Sequence, residues 1–309
     1  MKVLITGGAG FIGSHVADRL LARGEDVLVI DNYETGRRDN LVPRAKLTVL
    51  EGSITDDRLM QKAFDDFKPE VVLHAAASYK DPENFIGDAA TNVLGTAVTV
   101  KNSQRLNVRR LIYLQTALCY GDPVEQPIML NHRIEPGKSS YAISKTAGEQ
   151  YIQLSHLDWI SFRLANAYGP RNISGPLPTF FSRLTAGKPC FVADTRRDFI
   201  YVRDMIDIIE KAIDGAGSKG AYHISTGRDF SIKELFDATV SALGIKLDRE
   251  VEVRPRNPDD VYTILLDPSK TQQDFNMVPA YPLQEGVRKT IAYYQEYGIA
   301  QTYTHLKQH

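Results

Sequence analysis

Cysteine is nearly absent: Cys119 and Cys190 are the only two in 309 residues. Two thiols in strand-like apolar surroundings build neither a disulfide scaffold nor a Cys-rich zinc site, and they point to a reducing compartment. Charge of one sign is lacking as well, with 37 basic against 38 acidic residues and a net charge of -1. No whole-chain field therefore recruits nucleic acid or an anionic membrane, and any anion site must be local. No apolar run approaches the ~20 residues needed to span a bilayer. The first strand pattern begins at Lys2 and leaves no room for the n-region and apolar core of a signal peptide. Internal repeats and low-complexity tracts are missing too. These absences lead to the expectation of a cytoplasmic protein without nucleic-acid or membrane partners, long enough for one large domain or a large domain with a smaller companion.

Short apolar runs alternate with helix-patterned stretches through the first half. Residues 2–6, 27–30, 47–50, 71–73 and 111–114 are near-continuously apolar. Half-exposed strands would alternate polar and apolar residues, so these runs predict a parallel sheet covered on both faces, an α/β, doubly wound arrangement. The pattern changes near residue 170, where Asn172-Ile-Ser-Gly-Pro-Leu-Pro178 is unsuited to regular structure. The expected organisation is a sheet domain over 1–170, to which part of 195–230 returns, and a smaller, interleaved C-terminal α/β lobe over 171–309. That lobe is expected to contain a helix near 178–186, a strand pair near 190–202, a helix from Ser231 and terminal helices near 283–307. Ser231-Ile-Lys-Glu234 has the form of a capping box.

Gly7-Gly-Ala-Gly10-Phe11-Ile12-Gly13 lies between the first strand and the first helix. Glycines there permit a tight turn and let the backbone approach a pyrophosphate, while the helix N-terminus offers free N–H groups and about half a positive charge. In a βαβ context the pattern reads as a Rossmann-type dinucleotide site. Asp31 closes the second strand near the spacing of a carboxylate that accepts from the adenosine ribose hydroxyls and repels a 2′-phosphate. Arg37 and Arg38 follow but do not remove that anion, so NAD is expected rather than NADP.

Thr116 ends the fifth apolar run, and Tyr141-Ala-Ile-Ser-Lys145 opens a helical stretch. Tyr and Lys at i and i+4 share a helix face. An ammonium ~4 Å from a phenolate, at an effective dielectric near 20, contributes about 4 kcal/mol. That is enough to bring a phenol of reference pKa ~10 roughly to neutrality, so Tyr141 is expected to be an acidified base. His74, Cys119 and Tyr168 are read as structural.

With these elements goes an ordered series: Asp31-Asn32, His74-Ala75-Ala76-Ala77, Asn92-Val-Leu-Gly95, Arg163-Leu-Ala-Asn166-Ala-Tyr-Gly-Pro-Arg171 and Arg197-Asp-Phe-Ile-Tyr201. The chain resembles an extended short-chain dehydrogenase/reductase, in the nucleotide-sugar epimerase/dehydratase branch, over nearly its whole length. The resemblance implies that the sheet domain holds NAD and the C-terminal lobe a nucleotide diphosphate, with the sugar between them. It makes Thr116, Tyr141 and Lys145 catalytic. Its cofactor set is Gly7, Gly10, Phe11, Ile12, Gly13, Asp31, Asn32, Ser53, Ile54, Ala75, Ala76, Ala77, Asn92, Tyr141 and Lys145. Asn166, Arg197, Arg256 and Asp259 are assigned to the substrate, with Arg254 as an alternative to Arg256. A homodimer built from the helix of Tyr141 and one near 88–107 is also implied, as is a place in polysaccharide biosynthesis. No metal is required. One departure is Gly52-Ser53-Ile54, where the family's usual Asp is replaced by a hydroxyl.

The residues after Thr116 discriminate among reactions. A 4,6-dehydratase needs an extra acid and base to remove the C5 proton and expel the C6 hydroxyl, yet Ala117 and Leu118 carry no exchangeable proton. The expected reaction is NAD-dependent C4 epimerisation of a nucleotide-diphosphate hexose through a 4-keto sugar. A dehydratase, a 4-reductase and a catalytically silent NAD sensor stand as alternatives. Neither base nor sugar is legible; Thr263 hints at tolerance for 2-acetamido sugars.

Overall fold

The computed structural model describes residues 1–137, 139–256, 261–299 and 302. In chain order the first half comprises β1 (Lys2–Thr6), α1 (Phe11–Ala22), β2 (Asp26–Asp31), β3 (Leu47–Glu51), α2 (Asp57–Phe67), β4 (Val71–His74), α3 (Phe85–Asp88), α4 (Thr96–Arg105), β5 (Arg110–Thr116), α5 (Ser140–Gln153) and β6 (Trp159–Leu164). There follow β7 (Asn166–Tyr168), α6 (Pro176–Thr185), β8 (Phe191–Ala193), β9 (Arg196–Tyr201), α7 (Val202–Ile213) and β10 (Gly220–Ile224). The last elements are β11 (Asp229–Ser231), α8 (Ile232–Leu243), β12 (Glu252–Arg254), α9 (Ser269–Phe275) and α10 (Leu283–Tyr297).

Seven strands form one parallel sheet in the order β10-β6-β5-β4-β1-β2-β3. The apolar runs build it for the reason their composition suggests: residues such as Val3, Leu4, Val27, Leu28, Val71 and Val72 are wholly buried, with helices on both faces. Strand order reverses between β1 and β4, and the crevice beyond their carboxyl ends is where a doubly wound sheet takes its ligand. The last strand arrives late. β10 pairs with β6, and α7 leads to it across the face that holds α1, where Arg19 bonds Asp207 at 2.9 Å and Arg23 bonds Asp214 at 2.6 Å.

The smaller lobe departs from expectation in one pairing. β8 and β9 both form, but they do not pair with each other: β8 pairs with β12, and β9 lies between β7 and β11. The chain turns sharply between them, with the Thr195 N–H donating to the Ala193 carbonyl at 2.8 Å, and both edges of β9 are already occupied. The capping box forms as expected, Ser231 and Glu234 each accepting from the other's backbone. α10 ends at Tyr297; the expectation of helix beyond residue 302 lies outside the described residues. Residues 89–95, expected to be ordinary helix, form a π-helical segment ahead of α4. Close packing accompanies the widened turn: a Cβ on Gly148 of α5 would meet the Asn92 carbonyl at 2.5 Å.

Candidate active site

The glycine turn fits a pyrophosphate cradle. Gly7 has φ +68, and a Cβ there would meet the Ala76 backbone at 2.6 Å, so the turn after β1 presses on the segment after β4. Gly13 is equally confined, its absent Cβ lying 2.5 Å from the Gly7 carbonyl oxygen. Gly10 differs, since a Cβ there would meet only that oxygen, at 3.2 Å. The middle glycine therefore lies open at the N-terminus of α1, where backbone N–H groups favour an anion. Phe11 and Ile12 start the helix, and Ala75, Ala76 and Ala77 line the loop opposite without bulky side chains.

Asp31 is buried at the end of β2. Its Oδ2 accepts from the Ala9 N–H at 2.9 Å and its Oδ1 from the Tyr33 N–H at 2.8 Å. Burial raises its pKa, against the lowering effect of those two bonds. A Cβ at Gly36 would lie 2.7 Å from Oδ1, so this glycine, which the motif reading passed over, keeps the carboxylate approachable. Both neighbouring arginines are engaged with acids. Arg37 forks onto Asp39, while Arg38 bonds Glu51 at 2.6 Å and stacks over Tyr33 with 4.1 Å to the ring centroid. An anionic Asp31 beside two neutralised arginines suits a free ribose and disfavours a 2′-phosphate.

Other residues of the expected cofactor set are more locally occupied. Asn32 is exposed, and its Oδ1 accepts from the Glu34 N–H at 3.2 Å. The Ser53 hydroxyl pairs with Thr55 at 2.8 Å, and Ile54 is buried against Gly95. Asn92 acts as a clamp, donating to the Ser78 carbonyl and to Ser144 Oγ, and accepting from the Ser78 N–H, each at 2.9 Å. His74 bridges Thr6 Oγ1 at 2.6 Å and Thr96 Oγ1 at 2.8 Å; burial lowers its pKa to about 3, so it is a neutral structural link.

Thr116 caps the turn that follows β5, its Oγ1 accepting from the Leu118 N–H at 3.2 Å. Tyr141 lies in the first turn of α5, which packs along β5 and that turn. The Tyr113 hydroxyl fastens the two elements by donating to the Lys145 carbonyl at 3.0 Å. The expected acidification of Tyr141 is not what the structure displays. The buried Lys145 ammonium sits over the Tyr113 ring, 3.9 Å from its centroid. Burial instead holds the Tyr141 phenol above the usual tyrosine range, with Tyr79 and Asp88 acting in the same direction. Burial also lowers the Lys145 pKa to about 7, opposed by Glu149 one turn further on. Glu149 in turn bonds Arg163 at 3.1 Å, Arg163 bonds the Tyr120 hydroxyl at 2.8 Å, and Tyr120 bonds His223 on β10 at 2.6 Å. Cys119 is buried with its pKa pushed up to about 12, an unreactive thiol.

In the three-stranded sheet, Asn166 opens β7 and is exposed. Arg197 lies on β9, and its Nη1 donates to the Val261 carbonyl at 2.9 Å. Arg254 forks onto Glu252 at 2.9 Å through both Nε and Nη2, and stacks on Phe191 at 3.9 Å, whereas Arg256 is exposed just beyond β12. Thr263 donates to Asp229 at 2.9 Å. Asp259 lies outside the described residues.

Sequence reasoning did not connect Ser78, Asp88 and Ser144 to this site. Ser144 was visible inside the Tyr141–Lys145 segment, but nothing in its spacing indicated a bond to Asn92, 52 residues away.

Comparisons with known proteins show the family and the fold. Residues 3–225 match the model of the NAD dependent epimerase/dehydratase family. The Bordetella bronchiseptica enzyme WbmH, solved in complex with NAD+, is 50% identical, covers 96% of this chain and 99% of its own, and superposes with a TM-score of 0.93. WbmG from the same organism, solved with NAD and UDP, is 43% identical with a TM-score of 0.93, covering 99% and 98%. A UDP-glucose 4-epimerase of Mycolicibacterium smegmatis is 32% identical over 317 residues, covering 96% of this chain and 99% of its own.

Proposed function

The chain belongs to the NAD-dependent epimerase/dehydratase family, and from that premise we propose that it epimerises C4 of a UDP-linked hexose through a transient 4-keto sugar. When bound, NAD supplies a hydride acceptor that later returns the hydride. The chain's residues do the rest. As phenolate, Tyr141 takes the O4 proton while hydride leaves C4, and the resulting phenol returns that proton to O4 when the opposite face of the ketone is reduced. Thr116 holds O4 from the end of β5, and Lys145 orients the nicotinamide ribose. Asp31 accepts from the adenosine ribose, and the open backbone at Gly10 receives the pyrophosphate.

On the substrate side, Asn166, Arg197 and Arg256 hold the diphosphate, and Asp259 the nucleoside ribose. Counted back from Asp267, the register favours Arg256 over Arg254. The UDP specificity is supported by the names of the relatives. The reading places the enzyme in the cytoplasm, supplying polysaccharide biosynthesis.

One observation carries the choice of epimerisation. Helix α5, which carries Tyr141 and Lys145, packs on β5 and the turn that Thr116 caps, yet the following Ala117 and Leu118 offer nothing to deprotonate C5 or protonate a leaving hydroxyl. The test is incubation of the purified protein with NAD+ and UDP-, dTDP- and GDP-hexoses, with proton NMR following the C4 configuration. Interconversion of C4 epimers without net NADH is expected, and Tyr141→Phe should lower the rate by roughly 10²–10⁴-fold. A 4-keto-6-deoxy product would establish a dehydratase, and stoichiometric consumption of NADH in a parallel incubation supplied with it a reductase.

A homodimer is proposed as well. Ile143 and Tyr151 on α5 are 50% and 47% exposed, Leu154 just past its end is 84% exposed, and Leu94 beside α4 is 52% exposed. Together they leave an apolar face on adjacent helices suited to a second copy.

A further inference from the structure

Asp88 closes α3 with a buried carboxylate to which neither the cofactor nor the substrate assignments give any part. Its Oδ1 accepts from Ser78 Oγ at 2.9 Å, while its Oδ2 is buried with no hydrogen-bond partner among the described residues. A buried carboxylate oxygen without a donor is costly, so its presence needs a compensating role.

The bonding around Ser78 leads from Asp88 to the base. The Ser78 N–H donates to Asn92 Oδ1, and Asn92 Nδ2 returns one hydrogen to the Ser78 carbonyl. The other Nδ2 hydrogen goes to Ser144 Oγ, which donates to the Tyr141 carbonyl at 3.0 Å. Tyr79, next to Ser78, sets its ring edgewise against that of Tyr141, with centroids 6.3 Å apart and planes at 62°. The charge of Asp88 disfavours the Tyr141 phenolate, after burial and Tyr79 in importance. The other titratable groups here are Lys145 on the same helix and Tyr113 on β5, with Glu149 acting on Lys145 and Lys145 on His74.

We propose that Asp88 is a positioning residue for Tyr141. Through Ser78 and Asn92 it fixes the loop that seats Tyr79 against the base, and its negative charge opposes that of the Tyr141 phenolate, which makes the phenolate the stronger acceptor of the O4 proton. The inference rests on Tyr141 being the proton carrier of the proposed reaction.

The test is the alkaline titration of Tyr141, read as the tyrosinate ultraviolet signal of the NAD-loaded protein minus that of Tyr141→Phe. Asp88→Asn keeps the acceptor for Ser78 and removes the charge, so the midpoint should fall by roughly half to one pH unit. Asp88→Glu keeps the charge and should leave the midpoint near that of the parent. An unchanged or higher midpoint in Asp88→Asn with intact near-ultraviolet circular dichroism would overturn the proposal, as would an equal fall in Asp88→Glu. Should Asp88→Asn fail to fold, Asp88→Ser carries the same test. The titration requires no sugar, so its failure is separable from failure of the epimerase reading, which the NMR assay reports.

Discussion

His74 shows how a single residue couples the fold to pH. It is buried and neutral between Thr6 and Thr96, with a pKa lowered from 6.5 to about 3. Between those values the unfolded chain binds a proton that the folded chain does not, so protons pull toward unfolding. Stability is expected to fall as pH drops from about 6.5 towards 3, and His74→Gln should flatten that part of the profile. Thermal melts across the range check this. The structural reading of His74 was legible because it follows an apolar strand, and the spacing of Tyr141 and Lys145 made their shared helix legible. The orientation of Lys145 was not. An i, i+4 spacing fixes a shared helix face but not where a four-carbon side chain ends, and the Tyr113 ring that receives the ammonium lies 32 residues earlier.

At the scale of elements, the glycine turn makes a graded prediction. Gly13→Ala drives a methyl to 2.5 Å from the Gly7 carbonyl oxygen and 2.8 Å from Gly8 Cα, so the turn must deform and NAD binding should be lost. Gly10→Ala meets only one atom, at 3.2 Å. That variant should fold normally and bind NAD about tenfold or more weakly, a difference of ~1.4 kcal/mol measurable by calorimetry. In the smaller lobe, Ser231→Ala removes one half of the capping box at α8 and should cost about 1 kcal/mol, read from denaturant midpoints. Elements with strong local signals were legible: the glycine turn, the capping box and the continuous apolar strands. The separation of β8 from β9 and the π-helical turn at 89–95 were not, because tertiary neighbours decide both. β9 has β7 and β11 at its edges, and the 89–95 turn is packed by Gly148 of a distant helix.

For the whole molecule, the exposed apolar face of α5 predicts a dimer at micromolar concentration. Leu154→Glu with Ile143→Glu should convert it to a monomer in light scattering; a monomeric parent would remove the claim. The late arrival of β10 also bears on synthesis. Until residues 220–224 have left the ribosome, the edge of β6 that β10 covers is open to any extended segment it meets. A chain stalled or cut between β6 and β10 is thus exposed to mispairing, although its glycine turn and its Tyr141 helix are already made. The Tyr120–His223 bond, which ties Glu149, Arg163 and Tyr120 to β10, is equally missing from such a fragment. The seven-stranded sheet is therefore complete only after the small-sheet strands β7, β8 and β9 have been made, and the two parts of the chain finish together rather than in succession.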